Sequence, residues 1–164
     1  MKTDHASPAL RLDVLLYQPE IPPNTGNAIR LCANTGARLH LTKPLGFDLE
    51  DKQLRRAGLD YHEYATLQVH ESLQAALAMI APQRLFALST RGTQRYDQPR
   101  YRDGAAFLFG SETAGLPQEV LDAVPASQRL RLPMQPGNRS LNLSNSIAVV
   151  VFEAWRQMDF AGGS

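Results

Sequence analysis

Apolar and polar positions along the chain fall into two alternating patterns. Short unbroken apolar runs, each fit for a buried strand, occur at "LDVLLYQ" (12–18), "ARLHLTK" (37–43), "ATLQVHE" (65–71), "RLFALST" (84–90), "AAFLFG" (105–110) and "LRLP" (130–133). Between them lie segments with helical spacing and helix punctuation. "NTGNAIRLCANTG" reads as a helix with Asn24 or Thr25 as its cap and Gly36 as its stop. "DLEDKQLRRAG" reads as a polar helix capped by Asp48 and ended by Gly58, "SLQAALAMI" as an apolar one, and "PQEVLDAV" as one with Pro117 in its first turn. Strands alternating with helices predict an α/β fold with a mostly parallel sheet covered on both faces. Residues 1–11 and the "AGGS" tail read as loose ends, and the ordered core is expected over about 12–158 of a single domain spanning 1–164.

The last segment departs from this pattern. "PMQPGNRSLNLSNSIAVVVFEAW" begins as a polar loop and passes without a linker into a helix with two apolar stripes. Leu143, Ile147, Val150, Val151, Ala154 and Met158 form one; Ala148, Val149, Phe152 and Trp155 form the other. A helix apolar on both sides must be covered on both sides. The second cover is expected to be another copy of the chain, giving a homodimer through 142–158; a central helix buried within one chain is the alternative. Asn142 and Ser144 are natural caps for this helix. Capping does not need Asn138, Arg139, Ser140 and Asn145 as well, so a ligand is the expected use of the surplus.

Composition narrows the function classes. The chain has 164 residues, 43% hydrophobic and 20% charged, an ordinary globular make-up. No apolar run is long enough to span a membrane, and the first residues lack the apolar centre of a secretory signal, so a cytoplasmic location is expected. The single cysteine, Cys32, leaves no internal disulfide and no cysteine-rich zinc site. His5, His40, His62 and His70 show no ligand spacing and read as surface or strand residues; no metal is expected. A net charge of +1 argues against a chain that binds nucleic acid by bulk electrostatics. Local charge is less even: "RGTQRYDQPRYR" (91–102) carries four arginines and two tyrosines. That stretch is either a solvated loop or a surface for single-stranded RNA, with Arg91 and Arg95 on phosphates and Tyr96 and Tyr101 stacking on bases.

Parallel α/β sheets hold ligands beyond the carboxyl ends of their strands. Three loops fall there: "STRG", "GSETAGLP" and "PMQPGNRSLN". "GSETAG" looks like a phosphate loop, but Leu116 and Pro117 stand where a nucleoside-triphosphate site needs Lys and Ser/Thr. G-x-G-x-x-G, G-x-S-x-G and H-E-x-x-H are absent. Gly110 and Gly115 read either as a tight strand-to-helix turn or as close backbone approach to a ligand. Glu112 inside that turn gains little from packing, which favours the ligand.

Three segments together, "NTGNAIRLCANTG", "LFGSETAGLP" and "LPMQPGNRSLNLSNSIAVVVFEAW", resemble in order the three motifs of the SPOUT superfamily of S-adenosylmethionine-dependent RNA methyltransferases. The likeness runs over most of residues 12–158 and is closest to the small tRNA 2′-O-methyltransferases of the TrmL, or YibK-like, group, which act on the wobble nucleotide of the anticodon loop. The resemblance implies a C-terminal trefoil knot, a dimer, and a cofactor lodged in the knot. It further implies that Leu88, Gly110, Leu132 and Ser140 hold S-adenosylmethionine, and that Asn24, Arg30, Glu112, Ser140 and Asn142 are the catalytic positions. Larger relatives carry separate RNA-binding extensions; this chain is expected to recognise RNA with the methyltransferase domain itself.

Arg30 has two readings. On its helix the apolar positions belong to Ile29, Cys32 and Ala33, which leaves Arg30 facing outward as an ordinary solvated arginine. In the family a matching arginine is proposed to accept the 2′-hydroxyl proton. With an arginine pKa above 12, full deprotonation near pH 7 costs about 7–9 kcal/mol. A phosphate clamp that also steadies a developing alkoxide is the expected role. Methyl transfer to a 2′-oxygen requires RNA and excludes DNA as the substrate. Two other readings stay open: 2′-O-methylation at another tRNA or rRNA position, and a non-catalytic RNA-binding dimer.

Overall fold

The computed structural model describes residues 10–164. Most of the N-terminal end expected to be loose, and His5 with it, lies outside the described residues. Among the described residues seven strands, β1 (Leu12–Tyr17), β2 (Arg38–Thr42), β3 (Leu67–His70), β4 (Arg84–Leu88), β5 (Gln94–Arg95), β6 (Ala105–Phe109) and β7 (Arg129–Arg131), form one sheet in the order β3-β2-β1-β6-β4-β7-β5. Every pairing is parallel. The helices that accompany it are α1 (Pro22–Thr35), α2 (Lys52–Arg55), α3 (Leu73–Ile80), α4 (Gln118–Asp122) and α5 (Leu143–Gln157). The six predicted strands are all present; β5, inside the arginine-rich stretch, is the added one.

Alternation along each strand divides the core in two. Val14, Leu16, Leu39, Leu41, Phe86 and Phe107 pack with Ile29 and Cys32 of α1 and with Ile147, Val150, Val151 and Ala154 of α5. Leu15, Ala87, Ala106 and Leu108 face the other way, against Ala76 and Ile80 of α3 and Leu121 of α4. Burial in this wall pushes the Cys32 thiol up to about 12, which makes it an inert packing group.

Two helix starts differ from expectation. α1 begins at Pro22, with Ile21 rather than Asn24 or Thr25 at the cap position. Prolines at the first two helical positions bring no N–H groups that need a cap, so Asn24 and Thr25 lie inside the helix and are buried. α2 is only one turn long and is capped by Asp51, whose carboxylate accepts from the Gln53 N–H at 2.7 Å. Asp48 instead closes a local turn by accepting from the Glu50 N–H at 2.9 Å.

Strand β7 inserts between β4 and β5, although β4 and β5 are successive in the chain. The link between them therefore lies directly on β7. A Cβ at Gly92 would stand 2.3 Å from the Leu130 carbonyl oxygen, so only glycine allows that approach. Ser89 N–H donates to Leu130 O at 2.9 Å and Thr93 N–H to Arg129 O at 3.1 Å, tying the loop to the strand beneath it.

Candidate active site

Beyond the carboxyl ends of β4, β6 and β7, three loops enclose a cavity of about 740 Å³. The volume is that of a pocket for one small ligand. It lies beside the point where the strand order reverses, the place that a doubly wound sheet leaves open. Asn24, Leu88, Arg91, Gly110, Glu112, Leu132, Ser140 and Asn142 all line it. Positions spread over more than a hundred residues of chain are thus brought to one wall.

Each loop is held by its own hydrogen bonds. After β6 the chain reverses so tightly that a Cβ at Gly110 would stand 2.2 Å from the Gly115 carbonyl carbon, and Gly115 itself has φ +67°. The Gly115 N–H donates to Ser111 O at 3.0 Å. Glu112 leaves this turn to accept from the Glu20 N–H at 2.7 Å and, more weakly, from the Ile21 N–H at 3.4 Å. The carboxylate thereby does for the start of α1 what a side-chain cap would do. Thr113 hydroxyl donates to the Glu20 carboxylate at 2.7 Å, and the hydroxyls of Thr113 and then Ser111 hold that carboxyl below the usual carboxylate range. Glu112 is therefore a structural clasp between the second motif and the residues that lead into the first, as well as a cavity residue.

Asn142 joins the third motif to the first. Its Oδ1 caps α5 by accepting from the Ser144 N–H at 2.9 Å and the Ser144 hydroxyl at 2.6 Å. Its Nδ2 donates to Asn24 Oδ1 at 3.0 Å. The two predicted asparagines are thus one unit on the cavity wall. Ser140 sits on the exposed 132–142 loop at the cavity's edge.

Among the described residues no lysine lines the cavity. Its cation is Arg91, whose guanidinium donates to Leu116 O at 2.5 Å and to Gln118 Oε1. Its backbone N–H donates to Ser89 Oγ at 3.1 Å. Arg91 binds two ligand loops together, a different job from the phosphate contact expected of it. The rest of the lining combines apolar walls from Leu88, Phe109, Leu116, Leu132, Leu141 and Leu143 with polar side chains such as Ser89, Thr90, Ser111 and Asn142. Such a mixture suits an adenosine with an aliphatic sulfonium arm, and no lysine stands where a triphosphate site would need one.

Residues 11–152 match the model of the SpoU rRNA Methylase family. The chain belongs to the SpoU rRNA methylase family. A "tRNA (cytidine(34)-2'-O)-methyltransferase" of Methylovorus glucosotrophus (strain SIP3-4) is 65% identical over 150 residues, covering 92% of this chain and 97% of the relative. A structure described as "Structural insights into the 2-OH methylation of C/U34 on tRNA" superposes with TM-score 0.83 at 44% identity, covering 92% of this chain and 97% of that one. The SpoU methyltransferase AviRb of Streptomyces viridochromogenes, solved in complex with AdoMet, shares the fold at TM-score 0.79 and 23% identity, covering 96% of this chain and 64% of that one.

In this SpoU chain four predicted site residues stand away from the cleft. Tyr101 is buried, edge-on to Phe86 and Phe107, and its hydroxyl donates to Tyr96 O. Burial pushes its phenol pKa upward, and its ring has no face to offer a base, which corrects the stacking expectation. Arg95 pairs with Asp97 at 2.5 Å, Oδ1 accepting from Nε. Tyr96 is half-buried against the core. Arg30 lies outside the cavity and is 49% exposed in its side chain. It donates from Nε to Glu63 Oε2 at 3.2 Å and from Nη2 to Ala57 O at 2.9 Å and Gly58 O at 3.0 Å. A single chain does not bring it to the cleft, which separates a phosphate-clamp role from direct contact with a developing alkoxide.

The residues missed from sequence are mainly the apolar walls. Ile21, Met134 and Leu141 are large apolar side chains left exposed at the cavity's rim. Lying in irregular loops, they carry no periodic signal. Among the described residues no group of three or more His, Cys, Asp or Glu could hold a metal ion, and no helix is long and apolar enough to cross a membrane.

Proposed function

We propose that the protein transfers a methyl group to the ribose 2′-oxygen of the wobble nucleotide, of cytidine or uridine type, in the tRNA anticodon loop. One observation carries the reading: eight residues singled out in separate stretches of the sequence line a single cavity that mixes polar side chains with apolar walls. S-adenosylmethionine bound there supplies an electrophilic methyl group on a sulfonium. Leu88, Gly110 and Leu132 hold it by shape and backbone contact, with Ser140 at the edge where cofactor and RNA meet. Asn24 and Asn142, locked together at 3.0 Å, present fixed amide groups to the incoming ribose. Glu112 ties the second motif to the start of the helix that carries the first. Catalysis rests on holding the 2′-oxygen in line with the methyl carbon, and such positioning is worth about 7–11 kcal/mol in well-oriented reactions. Arg30 serves as a clamp for an RNA phosphate.

The second stripe of α5 supports a homodimer: Val149 is 38% and Phe152 44% exposed, side by side on a helix whose other stripe, Ile147, Val150, Val151 and Ala154, is buried in the core. A tRNA substrate makes the cytoplasm the place of action. The test is transfer of label from S-adenosylmethionine to unmodified total tRNA, with the labelled nucleotide mapped and Arg30→Ala run in parallel. Label on the wobble ribose, strongly reduced in the variant, is the expected result. Label elsewhere overturns the target, and no cofactor binding overturns the enzyme.

A further inference from the structure

Glu63 has no part in any of the three motifs, yet it is almost wholly buried beside an exposed arginine. It belongs to a short turn, 61–64, that opens with a capping box: the Asp60 carboxylate accepts from the Glu63 backbone, and Glu63 Oε1 accepts from the Asp60 N–H at 3.1 Å. Its other oxygen, Oε2, takes the Nε–H of Arg30 at 3.2 Å. The Asp60 N–H, acting against the opposing effect of burial, and then Arg30 hold the Glu63 carboxyl below its ordinary range, so the acceptor is ionised. The turn itself needs only Oε1. The second oxygen is spent on Arg30.

The consequence lies in the geometry of the guanidinium. Nε is occupied by Glu63, and Nη2 by Ala57 O and Gly58 O. Nothing among the described residues accepts from Nη1. An arginine on a helix surface ordinarily samples many rotamers and loses that freedom on binding. Here three acceptors fix the plane of the fork during folding, while the side chain stays half exposed and one arm remains open.

We infer that Glu63 is a positioning residue for RNA. It fixes Arg30 so that Nη1 is presented, oriented in advance, to a phosphate of the tRNA. The inference rests on the function proposed above, and it assigns a role to a residue that none of the motifs contains. Glu63 touches neither substrate nor cofactor. It acts through Arg30, and removing it should weaken RNA binding only for as long as Arg30 is present.

The experiment is a double-mutant cycle in the full-length chain: wild type, Glu63→Gln, Arg30→Ala and the pair. Each is assayed for KM and kcat with tRNA, for S-adenosylmethionine affinity by calorimetry, and for Tm. Glu63→Gln should raise the tRNA KM by about five- to tenfold, as loss of one charge-assisted bond does, with cofactor affinity unchanged. In the Arg30→Ala background the same change should have no further effect on KM. Glu63→Asp is added because its shorter carboxylate keeps the charge but cannot reach both partners; its KM should rise alongside that of Glu63→Gln. Additive losses in the cycle, or a KM unmoved in Glu63→Gln, overturn the inference while leaving the methyltransferase reading intact. A wild-type chain that binds cofactor but methylates no tRNA overturns the proposed function first. Loss of cofactor affinity together with a large fall in Tm would show Glu63 to be a fold residue only.

Discussion

Asp13 carries its charge on the inner strand β1 with no exposed surface, and side chains from neighbouring strands account for it. Arg38 grips both oxygens, at 2.7 and 3.0 Å, and His40 Nε2 lies 2.9 Å from Oδ1. A carboxylate can only accept, so His40 carries a proton on Nε2, and its Nδ1 lies 2.9 Å from His70 Nε2. Arg11 adds a longer contact at 3.5 Å. Burial pushes the Asp13 carboxyl upward, but the bonds from His40 and Arg38 outweigh it and leave the pKa below its ordinary 3.8. Burial, and then His40, push His70 below its ordinary 6.5. In both cases the unfolded chain binds protons more readily than the folded one, so stability rises with pH through each window. The His70 contribution is complete above pH 6.5 and is lost as pH falls below it; the Asp13 contribution goes only below 3.8. Urea midpoints should therefore fall between pH 7 and pH 5 in the wild type. His70→Gln, which keeps a hydrogen-bonding group beside His40 but does not titrate, should flatten that slope. An unchanged slope would locate the acid sensitivity elsewhere.

At the scale of elements, the link from β4 to β5 and the turn after β6 are built on two glycines for steric reasons. Gly92→Ala would place its Cβ 2.3 Å from the Leu130 carbonyl oxygen, and Gly110→Ala 2.2 Å from the Gly115 carbonyl carbon. Both obstacles are backbone and cannot swing away. Each change should cost about 3 kcal/mol or more, at the upper end of overpacking, and remove cofactor binding with it. Gly137 is the matched control: it has φ +82° but nothing within 4 Å of an added Cβ, so Gly137→Ala should cost only about 1 kcal/mol. Thermal melts of the three variants separate the two mechanisms; a Gly92→Ala chain as stable as Gly137→Ala would mean the crossing is looser than it stands here. The end of α5 also behaves as an element of its own. The "AGGS" tail folds back on Trp155, whose indole N–H donates to Ala161 O at 3.0 Å while Phe160 packs edge-on to its ring. Part of the second apolar stripe is thus covered by the chain itself, leaving Val149 and Phe152 as the open portion.

For the whole molecule, that open portion is the test of assembly. Val149 and Phe152 put two large apolar side chains next to each other on one exposed helix face, the kind of patch that a partner covers. Phe152→Glu should convert a dimer to a monomer in light scattering, with the tRNA KM raised and the fold intact by circular dichroism. A wild-type chain that is monomeric at micromolar concentration would sink the interface. In such a dimer each protomer, with its ligand loops gathered at one end of its parallel sheet, brings a cleft of its own.

Strand and helix identity was legible in the sequence because burial imposes a period, and all six predicted strands follow continuous apolar runs such as "AAFLFG". Much of the cavity's lining was legible too: Glu112 as a turn residue that packing does not demand, and Asn24 and Asn142 through the resemblance of their motifs. Three things were decided only in three dimensions. Tyr101 reads as a loop tyrosine among arginines, but the short strand β5 turns the chain so that its ring fills the core beside Phe86. Arg91 and Arg30 read as free cations, yet each is engaged by carbonyls from loops remote in sequence, Leu116 for one and Ala57 and Gly58 for the other. The insertion of β7 between β4 and β5 leaves no mark on periodicity at all. A pattern of apolar positions reports which side of an element is buried; it carries no information about which neighbour does the burying, and partners separated by tens of residues are chosen by packing and hydrogen bonding that exist only once the chain has closed on itself.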